Sequence, residues 1–99
     1  MSKEEKDKLV EEVMKGFDFE RAYSIIYLTK MHSLEPPTIK ELKERAERYL
    51  HIALDHQDRE FWWIGGMTHG GLCACWDNKW GLSLIYVGGV SRVKIEKPN

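Results

Sequence analysis

The spacing of apolar residues divides the chain into a helical first half and a strand-rich second half. Up to about residue 56 the apolar positions recur with the period of an amphipathic helix. After residue 60 the period changes to two, and aromatic residues, β-branched residues and glycines become frequent. The pattern predicts a single α+β domain over residues 1–99. Two to three N-terminal helices would pack on one face of a C-terminal three- to four-stranded antiparallel meander.

Local capping signals predict where the helices begin. Ser2 and Thr38 each stand three residues before a Glu, which is the sequence of a capping box, and Asp18 is placed to cap a helix between them. These signals predict an amphipathic N-terminal helix over residues 1–16 and a helical hairpin over residues 17–56.

Four strands are expected within residues 60–97. They cover residues 61–67, 72–76, 80–87 and 90–96. The joints between them are two to three residues long apart from the first, which is typical of consecutive antiparallel strands.

Composition and charge exclude several classes of function. The chain has 15 Lys and Arg against 16 Asp and Glu, and the net charge is −3 over residues 1–60 and +2 over residues 61–99. Neither half has the basic stripe of a nucleic-acid-binding domain, which argues against a nucleic-acid partner. No apolar run approaches the roughly 18 residues of a membrane span, so we expect no membrane partner.

Cys73 and Cys75 are the only cysteines. Two residues apart in a strand, they point to one face but would close too small a ring for an unstrained disulfide, which favours reduced thiols and a cytoplasmic protein. With His69 they form the one cluster of metal-ligand residue types, and a Cys–His nucleophile could use His69, His51 or His56. Because no second cysteine pair completes a zinc motif, we expect packed thiols, with no metal, cofactor or catalytic residue.

The aromatic residues are the more informative signal. Trp62 and Trp63 are adjacent in a strand, so they point to opposite faces of the sheet, and only one face can lie under the helices. Apolar residues on both faces of the third strand likewise predict a sheet covered on both sides, by its own chain, another subunit or a ligand. The predicted outward anchors are Trp62 or Trp63, together with Trp76, Trp80 and Tyr86.

Glycine pairs at 65–66 and 70–71 bracket His69. Turns and bulges explain them better than a phosphate cradle, because no Gly-Lys-Ser or Gly-Lys-Thr follows. The alternative is that the segment from Gly65 to Gly71 supplies backbone amides to a nucleotide-like ligand, with an aromatic ring stacked on its base at a subunit interface.

The sequence resembles a group of small, mostly uncharacterised phage and prophage accessory proteins over residues 17–87. The shared segments are Phe17-Asp18-Phe19-Glu20, Pro37-Thr38-Ile39 with Glu41-Leu42, Gly70-Gly71-Leu72 and Leu82-Ser83-Leu84. The resemblance implies a protein made early in infection that binds host machinery in the host cytoplasm, as anti-CRISPR-like anti-defence proteins do. It transfers no catalytic residue.

Three functions are therefore to be compared. The first is a non-enzymatic inhibitor that binds a host protein through an aromatic sheet face. The second is a homo-oligomeric, sponge-like protein that binds a nucleotide or another small molecule, and the third is a thiol- or metal-dependent enzyme at His69, Cys73 and Cys75. We favour the first, and the predicted binding residues are Trp62, Trp63, Gly65, Gly66, His69, Gly70, Gly71, Trp76, Trp80 and Tyr86.

Overall fold

Three helices precede a four-stranded sheet in the computed structural model of the protein, which describes residues 1–29, 38–66, 72–86 and 89–94. The helices are α1 (Lys3–Lys15), α2 (Phe19–Thr29) and α3 (Ile39–Leu54). The strands are β1 (Phe61–Gly65), β2 (Cys73–Asp77), β3 (Gly81–Tyr86) and β4 (Gly89–Val93). They lie in the order β1-β2-β3-β4, each antiparallel to its neighbour. The predicted α+β arrangement with an antiparallel meander is confirmed.

The helices begin where the capping signals place them. The Ser2 hydroxyl accepts a hydrogen bond from the Glu5 backbone N–H at 3.2 Å, and the Glu5 side chain accepts one from the Ser2 backbone N–H at 3.4 Å. Asp18 and Thr38 accept the equivalent bonds from the third residue after each, at 3.0 and 3.1 Å. Since the first turn of a helix has no backbone acceptors for its own N–H groups, these side chains fix the three starts. None of the described helices combines the length and apolar character that crossing a membrane requires.

The strands match the predicted positions with small differences at their ends. β2, β3 and the start of β4 are shifted by one residue, and β1 ends at Gly65 rather than at residue 67. Residues 67, 87, 95 and 96 of the predicted strands lie outside the described residues. The predicted meander is thus correct in strand number, order and direction.

The core lies between α3 and one face of the sheet. α3 packs against β1, β2 and β3, while α1 packs against α3, β3 and β4, and α2 against α3. Six residues of α3 are buried: Leu42, Ala46, Tyr49, Leu50, Ala53 and Leu54. The facing sheet residues alternate along the strands and include Ala74, Trp76, Leu82, Leu84 and Tyr86. We call this side the inner sheet face.

α1 is docked on the domain by a buried polar contact as well as by apolar packing. Val10 and Val13 are buried, and the Ser91 hydroxyl of β4 donates a hydrogen bond to the Val13 carbonyl at 2.7 Å. A Cβ at Gly16 would lie 2.7 Å from the same hydroxyl, so a larger residue there would have to displace the Ser91 side chain.

The connection from α3 to β1 is held by aromatic side chains of the inner face. The indole N–H of Trp76 donates to the Arg59 carbonyl at 3.1 Å. The His56 ring lies parallel to the Trp62 ring with centroids 3.7 Å apart, and its Nδ1 is 2.9 Å from the Ile52 carbonyl. These contacts set where β1 enters the sheet.

Substitution of two adjacent glycines tests the end of β1. Gly65 and Gly66 both have positive φ, of 101° and 118°, which disfavours any other residue. A Cβ on Gly65 would also overlap the Leu72 carbonyl oxygen, whereas a Cβ on Gly66 would meet nothing closer than 3.7 Å. We expect Gly66→Ala to lower the free energy of unfolding by about 1–3 kcal/mol, and Gly65→Ala to lower it by more.

Urea unfolding followed by tryptophan fluorescence measures both losses. Gly66→Ala is the matched control, because it carries the backbone strain without the steric overlap. Equal losses in the two variants would contradict the close approach of Gly65 to Leu72.

Candidate functional site

The face of the sheet opposite the helices forms the candidate site, which we call the outer sheet face. Side chains alternate between faces along each strand, so the register that directs Trp76 and Leu82 inward directs their neighbours outward. Two cross-strand rows result. One is Trp63, Cys75, Ser83 and Arg92, and the other is Gly65, Cys73, Ile85 and Val90.

The described large apolar side chains that are exposed gather on this face. Phe61, Trp63, Trp80 and Val90 are 53%, 54%, 50% and 60% exposed, and Met1 is the one such residue elsewhere in the described ranges. In the first row, large Trp63 and Arg92 stand on the edge strands and small Cys75 and Ser83 lie between them. The outer sheet face is therefore a trough with a small-residue floor and an aromatic and cationic rim.

The floor of the trough is shielded although the helices lie on the other side of the sheet. Ser83 is 2% exposed and Cys75 is 8% exposed. In their row, Cys75 is paired with Trp63 and Ser83 with Arg92, so a large side chain stands beside each of them.

Trp80 joins this face because the backbone departs from strand alternation beside it. The sequence pattern places Trp80 on the same side as Leu82, but Trp80 lies in the turn before β3 and is followed by Gly81 with a φ of +94°, so strand alternation does not extend to it. The Arg92 guanidinium lies 6.0 Å from the Trp80 ring centroid and the Lys79 ammonium lies 5.2 Å from it. Trp80 is therefore exposed, as predicted for an outward anchor, but it does not share a face with Leu82 and Tyr86 as its spacing predicts.

The turn before β3 orients Trp80 through the Asp77 carboxylate. One Asp77 oxygen accepts hydrogen bonds from the backbone N–H groups of Lys79 and Trp80, at 2.7 and 3.0 Å. Beside this turn, Phe61 and Trp80 flank a shallow pocket of about 370 Å³ that is also lined by Glu60 and Asp77. The trough thus ends in a cleft between two exposed rings.

Two of the predicted outward anchors belong to the core instead. Trp76 is 1% exposed and Tyr86 is 2% exposed, and both point to the inner sheet face. Trp62 pairs with Trp76 on the same face and is partly covered by His56. The expectation that Trp76 and Tyr86 form an outward aromatic face is wrong, because the helices cover the side of the sheet to which they point.

Cys73 and Cys75 lie side by side on the outer sheet face. Both are free thiols, and their sulfur atoms are 3.5 Å apart. A hydrogen bond from the Cys75 thiol lowers the pKa of Cys73 to about 7, against the opposing effect of partial burial. The same hydrogen bond, followed by burial, raises the pKa of Cys75, while the Arg92 charge acts against that rise.

The histidines described do not complete a catalytic pair with these thiols. His56 stacks on Trp62 at the inner face, and His51 lies 3.5 Å from Asp7 of α1. Both are therefore on the helical side, while the sulfurs are on the other. Within the described ranges, no three His, Cys, Asp or Glu residues gather as a metal-binding group.

The glycine-rich segment is only partly described. Gly65 and Gly66 have positive φ, and the Gly66 N–H donates to the Leu72 carbonyl at 2.8 Å, as expected for a turn at the end of a strand. The predicted binding residues His69, Gly70 and Gly71 lie outside the described residues.

Sequence reasoning missed Phe61 and Val90. Each points to the same face of the sheet as a charged residue. Phe61 lies opposite Asp77 in the neighbouring strand, and Val90 lies two residues before Arg92 in β4. The charged residues Asp77 of β2 and Arg92 of β4 are the signal that could have identified the outer face.

Comparison of the chain with protein-family models, with curated proteins and with solved structures returns no match.

Alkylation tests the thiol pair. Because the thiolate is the nucleophile and the pKa of Cys73 is lowered to about 7, its reaction with iodoacetamide should accelerate as pH rises, with a midpoint near pH 7. In Cys75→Ala the stabilising hydrogen bond is absent, so the midpoint should move up toward the ordinary value of 9.0.

Intact-mass spectrometry at a series of pH values measures these rates. Cys73→Ser is the control, and it should leave no thiol that reacts quickly near pH 7, because Cys75 is 8% exposed and its burial raises its pKa. An unchanged midpoint in Cys75→Ala would contradict the assigned hydrogen bond.

Proposed function

We propose that this protein is a non-enzymatic binding protein whose outer sheet face docks on a protein partner. The observation that carries the proposal is that Phe61, Trp63, Trp80 and Val90 expose half or more of their surface on one side of the sheet. Half-exposed tryptophans around a shielded floor are typical of the anchors of protein interfaces.

The charges on this face favour a partner of opposite sign. Lys79, Arg92 and Lys94 are exposed on or beside the outer sheet face, and the segment from residue 61 onward has a net charge of +2. A complementary partner has an apolar patch edged by carboxylates. Glu60 and Asp77 lie beside these three cations but are fewer, so a second copy of the chain would meet an excess of like charge, and we assign the face to a different protein.

The class of partner is proposed from the resemblance alone. Phage accessory proteins of this kind bind host machinery, and an inhibitor needs no chemistry of its own because occupying a surface is sufficient. We therefore propose a host protein, including components of anti-phage defence, as the partner, and inhibition as the consequence of binding.

Alanine substitution on the outer sheet face tests the proposal. Trp63→Ala and Trp80→Ala remove exposed anchors, so each should weaken binding by about 2 kcal/mol or more, or roughly 30-fold, with little change in stability. Trp76→Ala removes a buried ring instead, and it should lower the free energy of unfolding by about 3–5 kcal/mol.

The measurement requires a purified partner. Proteins that the wild-type chain captures from host extract are purified, and their dissociation constants are measured by calorimetry with each variant. Lys40→Ala, at an exposed position of α3, is the control and should bind as the wild type does.

Two results would overturn the assignment. A partner that binds Trp63→Ala and Trp80→Ala as tightly as the wild type would place the docking surface elsewhere. A wild-type dimer that Trp63→Ala converts to a monomer in analytical ultracentrifugation would make a second copy the occupant of the face.

A further inference from the structure

We propose that Cys73 and Cys75 form a chelating site that binds one soft, thiophilic metal ion through both sulfurs. The two sulfur atoms lie 3.5 Å apart on the outer sheet face, and neither is in a disulfide. The proposal is independent of the docking function, since it rests on the thiols and not on the aromatic rim.

The separation of the sulfurs suits a shared ion. For a metal–sulfur bond of about 2.3 Å, two sulfurs at this separation subtend roughly 100° at the metal, which is close to a tetrahedral angle. The sulfurs are already at the bite distance of a chelate, so binding requires no movement of the strand. Closing a disulfide would instead need the atoms to approach to about 2.05 Å.

Of the two sulfurs, that of Cys73 is the more accessible from the outer side, since Cys75 is buried. Cys73 is partly exposed, and its neighbour across β1 is Gly65, which has no side chain to cover the sulfur. Trp63 and Ser83 flank Cys75 in its row, so the second sulfur is reached through the trough. The ion would sit on the floor of the trough, at its Gly65 side.

The donor set selects the class of ion. Thiolates prefer soft ions such as Cd²⁺, Cu⁺ and Zn²⁺ over Mg²⁺ and Ca²⁺, which take oxygen ligands. In the described part of the chain no third His, Cys, Asp or Glu joins the pair. The described residues therefore supply two of the ligands, whereas a structural zinc site has four protein ligands.

Titration of the fully reduced protein with Cd²⁺ tests the site. We expect one ion per chain, with thiolate-to-metal charge-transfer absorption in the ultraviolet, and protection of both thiols from iodoacetamide by the bound ion. Ca²⁺, of the same charge and similar size, should give neither signal because it prefers oxygen.

Single substitutions distinguish chelation from binding to one thiol. Losing one sulfur removes the intramolecular second bond, so Cys73→Ser and Cys75→Ser should each weaken Cd²⁺ binding by about a hundredfold or more in competition with a chelator. His51→Ala is the matched control, because it removes an imidazole from the other side of the sheet and should leave the affinity unchanged.

Three results would overturn the proposed site or assign the ion elsewhere. Wild-type affinity in either serine variant, with its melting temperature retained, would overturn chelation. An equal loss in His51→Ala would assign the ion to the helical surface. A hundredfold loss in His69→Ala would overturn the two-sulfur site in favour of one with three protein ligands.

Discussion

Side-chain alternation through a continuous four-strand register is the constraint on which the rest of the structure depends. One cross-strand row lies under the helices and consists of Trp62, Trp76, Leu82 and Val93. Each of these residues is paired in register with the next one along the row. A slip of one residue in any pairing would exchange the faces of that strand and expose its apolar set. The buried row therefore fixes the outer rows as well, and with them the position of Trp63 and both thiols.

The features predicted correctly from the sequence are those that depend on neighbouring residues. Ser2, Asp18 and Thr38 cap the helices in the structure because a cap needs only its own side chain and a backbone N–H two or three residues later. The strand order is predicted by the short connections, because a connection of two or three residues joins strands that pair with each other. These constraints are local, and the helix starts and the strand order in the structure agree with them.

The orientation of the sheet could not be obtained in the same way. Period-two spacing shows that Trp76 and Cys75 point to opposite faces, but it does not show which face the helices cover. Apolar residues on both faces of the strands predict an outward aromatic face that includes Trp76 and Tyr86, but both are buried because the helices lie on their side. Trp80 departs from alternation because it lies in the turn before β3, next to Gly81 with its positive φ, and residue spacing does not show where a strand begins.

The aromatic rim and the thiol pair occupy a single surface, so their occupants cannot be independent. Cys75 lies between Trp63 and Ser83 in one row, and a protein seated on Trp63 would also cover the sulfurs. An ion bound on the floor would in turn alter the shape and charge of the trough that a partner meets. Because coupling between two binding sites is reciprocal, any ion that weakened docking would itself be bound less tightly in the complex. A molecule bound to the rim would therefore change the reactivity of the Cys73 thiol, because that thiol lies on the floor of the same trough.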